Sequence, residues 1–436
     1  MKLVTIIGGG LAGLSSAVFL HKKGYNVQVF ESSPKLGGRA YSFYDRDKNL
    51  YFDNGQHILA GWYENTFEYL KTIGSYDKLD FQSNLEVNFY DTNKNSFNLK
   101  TYNLPAPFNL LFGLLNFKAL SGSDKLSVLK IYKIFSDKKL EQLNNVAELL
   151  KAIKQTPTLI EYFWEPFILA VFNAKPENIN CKIFLKILKN GFSKKSFSNL
   201  VIPKVNLNEL FIDDALTYFE KNNIKIAVKE KISKLFLKDN TIDYLVTESG
   251  NKIKSDYYIS AVPFFRFKEL FEINDYNQYF KGRGNLHSSS IISLHLFFEN
   301  EVPADLLKNN SFGMTGLIGT KVQWIFKRNP KHLSLVISAS DFLDELTDES
   351  NETIYKNCLS ELSKCLNGFD NLVVKDYKII KEKRATFIPD NDSINERPNQ
   401  KTDIQNFFIA GDWTNTGLPA TIESAIKSSK IISTFF

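Results

Sequence analysis

A glycine turn followed by an acidic residue is the first feature of this sequence that could carry chemistry. Gly8, Gly10 and Gly13 have the spacing G-x-G-x-x-G, and Glu31 closes the next apolar run. In such a turn the first glycine allows a tight bend, the second lets N–H groups approach a pyrophosphate, and the third lets a helix pack closely on a strand. The carboxylate accepts hydrogen bonds from ribose hydroxyls and would repel the 2′-phosphate of NADP. We therefore predict an NAD or FAD site that contacts Gly8, Gly10, Leu11, Ala12, Gly13 and Glu31.

A second glycine pair follows in residues 36–42, which read L-G-G-R-A-Y-S. Adjacent glycines again allow close backbone approach, and the guanidinium of Arg39 can offer two N–H donors to a phosphate. An ordinary loop with a solvated arginine is the alternative interpretation. The pattern favours a second phosphate contact at Gly37, Gly38 and Arg39.

The residues around the first motif predict the elements that would position it. Residues 2–7 are apolar and rich in β-branched side chains, which is typical of a buried strand. Residues 11–21 carry apolar side chains at helical spacing, and Gly24 ends this helix before a second strand at residues 25–30. A strand, a glycine turn, a helix, a strand and an acid in this order are the context that a dinucleotide motif requires.

These motifs together resemble the flavin amine oxidase and carotenoid desaturase superfamily. The resemblance rests on G-G-G-L-A-G at residues 8–13, on Glu31 and on L-G-G-R-A-x-S. It implies that the dinucleotide is FAD, whose ADP half and pyrophosphate these motifs hold. It also implies that Asn54, Gly55 and Gln56 lie beside the flavin and that the backbone of Val228 contacts the adenine.

A third motif lies near the other end of the chain, in residues 406–426. An apolar strand ends at Gly411 and Asp412, and a helix is predicted to begin near Ala420. An aspartate in this position can accept a hydrogen bond from a ribityl hydroxyl, and N–H groups that open a helix stabilise negative charge on a reduced flavin. We therefore expect both ends of the chain to close on one cofactor, with contacts from Gly411, Asp412, Pro419, Ala420, Thr421 and Ile422.

His57 is the first candidate for moving a proton, because imidazole titrates near neutral pH and the resemblance places it beside the flavin. A structural histidine near the cofactor is the alternative. Asp53 and Glu165 are weaker candidates, since Asp53 could fix its own loop and Glu165 could cap a helix. His295 is more typical of a hydrogen-bonded histidine within a sheet. The five histidines show no metal-ligand spacing, so no metal site is predicted.

Composition limits the partners and the compartment. The net charge of +6 is spread along the chain without a compact basic block, so we expect no nucleic-acid binding. Three scattered cysteines and the lack of a signal-peptide pattern suggest a reducing cytoplasm.

Residues 104–115 are strongly apolar, too short to span a bilayer, and followed by lysines interleaved with apolar residues. This pattern suits a peripheral contact with the inner membrane, and a buried helix pair is the equally weighted alternative.

Longer motifs narrow the resemblance to the hydroxysqualene dehydroxylase family over essentially the whole chain. They include F-D-N-G-Q-H at residues 52–57, F-W-E-P-F-I-L-A at 163–170, V-Q-W-I-F at 322–326 and A-G-D-W-T-x-T-G-L-P-A-T-I-E at 410–423. The resemblance implies reductive removal of the allylic hydroxyl of hydroxysqualene, with hydride from reduced FAD, in squalene and hopanoid biosynthesis. It implies a polyisoprenoid substrate and association with other enzymes of that pathway. The aromatic content of 14% could line a channel for such a substrate.

The expected fold is α/β, with a Rossmann-type FAD-binding domain of the glutathione reductase-like, amine oxidase and phytoene desaturase type. Residues 1–75, 200–275 and 376–436 are assigned to it. An α+β substrate domain with a helical, membrane-facing part is assigned to residues 76–199 and 276–375. Among the local expectations are single helices at residues 207–222 and 344–366.

Two other functions remain open at this point. A carotenoid desaturase or an amine oxidase on the same fold would use oxidised flavin to take hydride from its substrate. An amine oxidase would need two aromatic rings as a cage against the flavin, and Trp413 could supply one. A flavin-binding membrane scaffold that carries pathway intermediates without turnover is the third possibility.

Overall fold

The computed structural model describes residues 1–307, 313–342 and 346–436. Its strands, in chain order, are β1 Leu3–Ile7, β2 Asn26–Glu31, β3 Ser42–Asp45, β4 Leu50–Asp53, β5 Leu59–Ala60, β6 Leu79–Phe81, β7 Glu86–Asp91, β8 Ser96–Lys100, β9 Leu200–Pro203, β10 Lys225–Val228, β11 Ile232–Lys238, β12 Thr241–Thr247, β13 Lys252–Ile253, β14 Tyr257–Ser260, β15 Ser288–Phe298, β16 Met314–Ile318, β17 Trp324–Asn329, β18 His332–Ser338, β19 Val374–Phe387 and β20 Phe407–Ile409.

The α-helices are α1 Leu11–Lys22, α2 Glu64–Ile73, α3 Phe108–Leu115, α4 Gly122–Val128, α5 Lys133–Ser136, α6 Val146–Ala152, α7 Pro157–Leu159, α8 Glu165–Phe172, α9 Cys181–Gly191, α10 Leu207–Phe211, α11 Asp213–Lys221, α12 Phe264–Phe267, α13 Ile273–Phe280, α14 Asn351–Cys365, α15 Asn391–Glu396 and α16 Ile422–Ile432. None of the described helices combines the length and the apolar composition needed to cross a bilayer.

The first sheet is parallel and has the strand order β10-β2-β1-β14-β20. Its central strand β1 is almost continuously apolar, and Val4 and Ile6 are fully buried. Such a run is expected for a strand that is covered on both faces. The carboxyl ends of strands from the beginning, middle and end of the chain therefore meet along one edge.

The second sheet has seven strands in the order β19-β15-β18-β17-β16-β7-β8, and all neighbours are antiparallel except the pair β16 and β7. Side chains on β15 alternate between its two faces. Ile292, Leu294 and Leu296 are fully buried in a core cluster that includes residues of α14. The opposite face points toward helices α3 to α9, and a separate apolar cluster joins the two layers.

The first and last α-helices pack against each other beside the parallel sheet. The hydroxyls of Ser15 and Ser16 lie 3.0 and 2.9 Å from Ser429 Oγ, which donates to the carbonyl of Ala12 at 2.6 Å. Small side chains on both helices allow this close approach. The two ends of the chain are thereby held together.

Two local predictions were wrong in detail. The helix expected at residues 207–222 is divided into α10 and α11, because the carbonyl of Phe211 accepts a hydrogen bond from the Tyr69 hydroxyl at 2.9 Å. The helix expected at residues 344–366 begins at Asn351, where the Ser350 hydroxyl caps it by accepting from Thr353 N at 3.1 Å. Residues 344 and 345 lie outside the described residues. The assignment of residue ranges to two domains stays a prediction.

Candidate active site

One continuous cavity of about 1100 Å³ lies between the carboxyl edge of the parallel sheet and the inner face of the seven-stranded sheet. Most residues predicted to bind a cofactor line this cavity. They are Gly8, Gly10, Leu11, Ala12, Glu31, Gly37, Gly38, Arg39, Asn54, Gly55, Gln56, Gly411, Asp412, Ala420, Thr421 and Ile422, and His57 lines it with them. Four separate stretches of sequence are thus brought to one space.

Three of the predicted residues do not line the cavity: Gly13, Val228 and Pro419. Gly13 lies behind the cavity wall and packs on the glycine turn, where a Cβ would lie only 1.9 Å from the carbonyl oxygen of Gly8. Val228 lies on β10 and pairs with Glu31 on β2. Residues 231–233, which follow β10 in the chain, line the cavity instead. The adenine contact proposed for Val228 therefore stays a prediction, with Ile232 the nearer residue to the cavity.

The glycine turn leaves backbone donors at the cavity wall. Gly8 has a left-handed φ of +108°, and a Cβ there would lie 2.8 Å from the Ala261 carbonyl oxygen. Helix α1 begins directly after Gly10, which has no side chain to cap it, and the Leu14 N–H donates to the Gly10 carbonyl. The N–H groups of the first turn have no partner within a helix and carry its positive dipole end. This arrangement suits a phosphate group.

Glu31 joins the end of β2 to the glycine turn. Its Oε2 accepts from Gly9 N at 2.6 Å, and its Oε1 accepts from Ser33 N at 2.7 Å. The carboxylate is thereby held in one orientation at the cavity wall. Oε1 also accepts from Ser32 Oγ at 3.2 Å, so Oε2 is the oxygen with a further lone pair that could accept from a ribose hydroxyl.

The second glycine pair packs on the first turn. Gly37 N donates to the Gly9 carbonyl at 2.9 Å, and a Cβ on Gly38 would lie 3.1 Å from Gly10 Cα. The following Arg39 is engaged by the protein, since Nη1 donates to the Ala385 carbonyl and Nη2 to Asp412 Oδ1, both at 2.6 Å. Its role as a pyrophosphate donor stays a prediction, with N–H groups left over for that contact.

Arg397 is a residue of this region that the sequence did not single out. It is buried, and its guanidinium donates to the backbone carbonyls of Asp412, Trp413 and Thr414. Burial lowers its pKa to about 10, so it remains charged at neutral pH. Arg397 therefore fixes the loop that presents Asp412. Its only sequence signal is an arginine before a proline, which is uninformative.

Trp413 is also held by the protein. Its Nε1 donates to the Val262 carbonyl at 3.0 Å, and its ring centroid lies 5.3 Å from that of Phe267. The residue lines the cavity but is almost wholly buried. An amine oxidase cage would need a second ring facing it across the flavin, and Phe267 packs beside Trp413 in the core instead.

Asn54 carries an unused acceptor. The side chain is buried at the cavity wall, and its Oδ1 has no hydrogen-bond partner in the part of the chain that the structure describes. Buried polar atoms are nearly always paired, so a lone carbonyl oxygen facing a cavity indicates a ligand donor. The adjoining Asp53 is fully paired and accepts from Ser42 Oγ at 2.7 Å, from Gln56 Nε2 at 3.2 Å and from Leu207 N at 3.2 Å.

His57 lies in the wall next to these residues and faces the cavity rather than bulk water. Burial lowers the pKa of its imidazole below the ordinary value of 6.5; Asp53 opposes this shift, and Arg39 adds to it. The ring is therefore neutral at pH 7. An imidazolium formed here would be a stronger acid than an exposed one.

The other proton donors considered lie elsewhere. Asp53 serves its own loop, and Glu165 is exposed outside the cavity lining. His295 is fully buried on the same face of β15 as Ser293 but does not line the cavity; its ring lies 5.0 Å from that of Phe52, and its Nδ1 lies 3.0 Å from His332 Nε2. His57 is thus the one among the four candidates that reaches the cavity.

Another part of the cavity is mostly apolar. Its wall includes Val87, Phe89, Phe167, Met314, Trp324 and Val336. Gly316 makes room for this wall, because a Cβ there would lie 2.5 Å from the ring of Phe89. The cavity therefore joins a glycine-lined polar part to an aromatic and aliphatic part that suits a long hydrocarbon.

Comparison with known proteins gives a family match and several relatives. Residues 11–433 match the model of the flavin containing amine oxidoreductase family. The chain is 26% identical to a hydroxysqualene dehydroxylase of Zymomonas mobilis, covering 99% of this chain and 98% of that protein. It is 24% identical to a 15-cis-phytoene desaturase of an Oncidium hybrid cultivar, covering 98% of this chain and 76% of that protein.

Solved structures give the same architecture. An oxidoreductase from Methanosarcina mazei superposes with a TM-score of 0.75 at 17% identity, covering 99% of both chains. The predicted α/β fold of the amine oxidase type, with its Rossmann-type sheet and a second sheet interleaved along the chain, is confirmed.

Proposed function

Because the chain belongs to the flavin containing amine oxidoreductase family, we propose that it is an FAD-dependent enzyme that converts hydroxysqualene to squalene. Flavin-dependent oxidoreductase chemistry follows from the family. The substrate and the reaction are our proposal. One observation carries it: a single cavity continues from a dinucleotide-type glycine turn into a long apolar part, with His57 in its wall.

Features of the polar part of the cavity support FAD as the proposed cofactor. The first turn of α1 offers N–H groups for a pyrophosphate, and Glu31 offers oriented oxygens for a ribose. Asn54 offers an acceptor without a partner among the described residues, and Asp412 lines the same cavity, paired with Arg39. Residues from both ends of the chain would then hold the two halves of one dinucleotide.

In the proposed reaction the allylic C–O bond breaks, the oxygen leaves as water, and the carbon gains a hydride. When bound, reduced FAD supplies that hydride. The chain must exclude water from the polyene, which the apolar wall does, and must provide a proton to the departing oxygen. The aromatic faces of Phe89 and Phe167 can stabilise positive charge that develops on the allylic system.

His57 is proposed to provide the proton. It is the cavity-lining member of the candidate set, and its low pKa makes the imidazolium a strong donor whose population rises as the pH falls. Gln56, which donates to Asp53, keeps the loop that carries His57 attached to the protein.

A membrane surface is the proposed route for the substrate. Helix α3 buries Leu110 and Leu114 and exposes Phe108 and Phe112, so its exposed face supports the proposed lipid contact. The next helices continue this exposure with Leu126, Leu129, Tyr132 and Phe135, and we call these six exposed residues the exposed helical surface. Exposed lysines beside it, such as Lys118, Lys138 and Lys139, complement anionic lipid.

A product assay tests the proposed function. The purified protein is loaded with FAD, reduced without oxygen and mixed with hydroxysqualene in detergent. Reoxidation of the flavin band together with squalene in the extracted lipid is the expected result. A flavin that stays reduced while the alcohol is recovered intact would contradict the proposal.

Carotenoid desaturation is the second candidate, and the similarity to 15-cis-phytoene desaturases favours it. It would use oxidised FAD, so phytoene added to the oxidised protein would bleach the flavin band. Binding of hydroxysqualene without any product from either form would indicate a scaffold.

A further inference from the structure

The cavity wall contains two buried polar atoms without a partner among the described residues. They are Asn54 Oδ1, in the polar part, and Trp324 Nε1, in the apolar part. The first is an acceptor beside the cofactor region. The second is an N–H donor with 6% of its residue exposed, surrounded by hydrocarbon side chains.

An unpaired indole N–H in such a place has an energetic cost. Burying a donor without an acceptor destabilises the folded state, whereas phenylalanine would fill a similar volume without leaving a donor unpaired. The other two fully buried tryptophans are paired: Trp164 Nε1 donates to Gln155 Oε1 at 2.8 Å, and Trp413 Nε1 to the Val262 carbonyl at 3.0 Å. Trp324 is the exception.

The strand register places Trp324 within the substrate part of the cavity. One cross-strand row runs from Ser293 on β15 through Val336 and Trp324 to Gly316 and Phe89. Ser293 faces the loop of Gly55, because a Cβ on that glycine would lie 3.5 Å from Ser293 Oγ. Trp324 is two strands farther along the row, about 10 Å from Ser293 at the usual strand spacing.

The indole is oriented by the missing side chain at Gly316. A Cβ on Gly316 would lie 3.2 Å from Trp324 Cζ3, so the benzo edge of the ring leans toward β16. The Nε1 atom is at the opposite end of the indole, away from Gly316.

We propose that Trp324 Nε1–H donates a hydrogen bond to the hydroxyl oxygen of the alcohol substrate and thereby distinguishes the alcohol from its hydrocarbon product. The inference rests on the proposed function, since it assigns a residue to its substrate. An indole donates only, so its ligand must carry an acceptor, and a hydrocarbon has none. A site that hydrogen-bonds a substrate hydroxyl binds the analogue without it more weakly, because the donor is then left unpaired.

The test compares Trp324→Phe with the wild-type holoprotein in two binding titrations, one with hydroxysqualene and one with squalene, followed by the flavin band. Removing the N–H while keeping an aromatic ring should weaken hydroxysqualene binding by roughly 5- to 100-fold. Squalene binding should be unchanged or tighter. Equal weakening of both ligands, or no change in either, would overturn the assignment.

Trp164→Phe is the matched control, because it also deletes an indole N–H but lies outside the cavity lining. It should lower stability by leaving Gln155 unpaired and should leave the ratio of the two affinities unchanged. A change of that ratio in the control would count against the assignment.

A second measurement does not depend on how the variant folds. The chain has four tryptophans, so the wild-type protein labelled with ¹⁵N-tryptophan gives four indole resonances. Hydroxysqualene should shift one of them downfield and squalene should not, and identical spectra with both ligands would overturn the proposal. Because both measurements report binding, they remain decisive even if the product assay shows no turnover.

Discussion

The carboxylate of Glu31 accepts a hydrogen bond from Gly9 N at 2.6 Å, so that the acid at the end of β2 fastens the glycine turn at the end of β1. The same side chain accepts from Ser33 N at 2.7 Å. One residue therefore shapes the turn and presents oxygens to the cavity.

Replacing Glu31 with alanine should weaken FAD binding by roughly 10- to 100-fold, because hydrogen bonds to charged groups contribute about 1.5–3 kcal/mol each. Quenching of flavin fluorescence measures the affinity. Glu230→Ala is the control, since Glu230 lies beside Glu31 but its carboxylate accepts from Ser249. Equal affinities in the two variants would contradict the role of Glu31.

Arg39 and Asp412 should show energetic coupling in FAD binding. Their ion pair at 2.6 Å joins the second glycine motif to the C-terminal motif. In a double-mutant cycle of Arg39→Ala and Asp412→Ala, the combined loss of affinity should be smaller than the product of the single losses, because each single change leaves one charge unpaired. Fully multiplicative losses would show that the pair acts as two independent contacts.

The rate at which hydroxysqualene reoxidises the reduced flavin should depend on the protonation of His57. Burial holds its pKa below 6.5, so the imidazolium fraction falls about tenfold per pH unit above neutrality. Flavin reoxidation by hydroxysqualene in single-turnover experiments should slow accordingly between about pH 7 and pH 9. His57→Gln should be roughly 100-fold slower at pH 7 and nearly independent of pH. His287 is exposed, so the control variant His287→Gln should keep the wild-type dependence of the rate on pH. If the rate of His57→Gln still depends on pH as in the wild type, another group supplies the proton.

The buried pair of His295 and His332 should make the fold sensitive to acid. Burial lowers their pKa values to about 4 and about 3, whereas the unfolded chain titrates near 6.5. Between these values only the unfolded chain binds the protons, so stability is lost as the pH falls below 6.5, on the order of 3 kcal/mol for each histidine. Urea unfolding at pH 7 and pH 4.5 measures this loss. His332→Gln should reduce this loss of stability. If the variant loses as much stability between pH 7 and pH 4.5 as the wild type does, the histidine pair is not the cause of the loss.

Polar replacements on the exposed helical surface should release the protein from lipid. Phe108, Phe112 and Tyr132 replaced together by serine should weaken binding to anionic liposomes at least tenfold, since each apolar side chain contributes on the order of 1 kcal/mol or more when buried. The control replaces Tyr44, Tyr51 and Val373, which are similarly exposed in other parts of the chain. Sedimentation with liposomes reports binding, and the flavin absorbance confirms that both variants are folded. Equal binding of both triple variants would exclude this surface as the lipid contact.

The glycine turn, Glu31 and Asp412 could be predicted because their signals are local. A left-handed φ at Gly8 and the close contact at Gly13 leave few residues other than glycine, and these requirements appear directly as sequence spacing. The start of α14 also has a local signal, because Ser350 is a favoured N-cap residue, although the apolar periodicity of the segment predicts an earlier start.

Other features depend on contacts between distant parts of the chain. The break between α10 and α11 arises from the hydroxyl of Tyr69, and the function of Arg397 arises from carbonyls of residues 412–414. The unpaired N–H of Trp324 is a property of everything that surrounds it. No local pattern contains such information, because it exists only after the strands have been placed side by side.

The packing of α16 on α1 also has a consequence for how the protein is made. At about 5–20 residues per second, roughly 20–80 s separate the synthesis of α1 from that of α16. During this interval Ser15 and Ser16 lack their Ser429 partner, and the face of α1 that α16 packs against is uncovered. The cavity wall is completed only when residues 411–422 have been translated. A chain whose synthesis stops before these residues therefore lacks part of that wall.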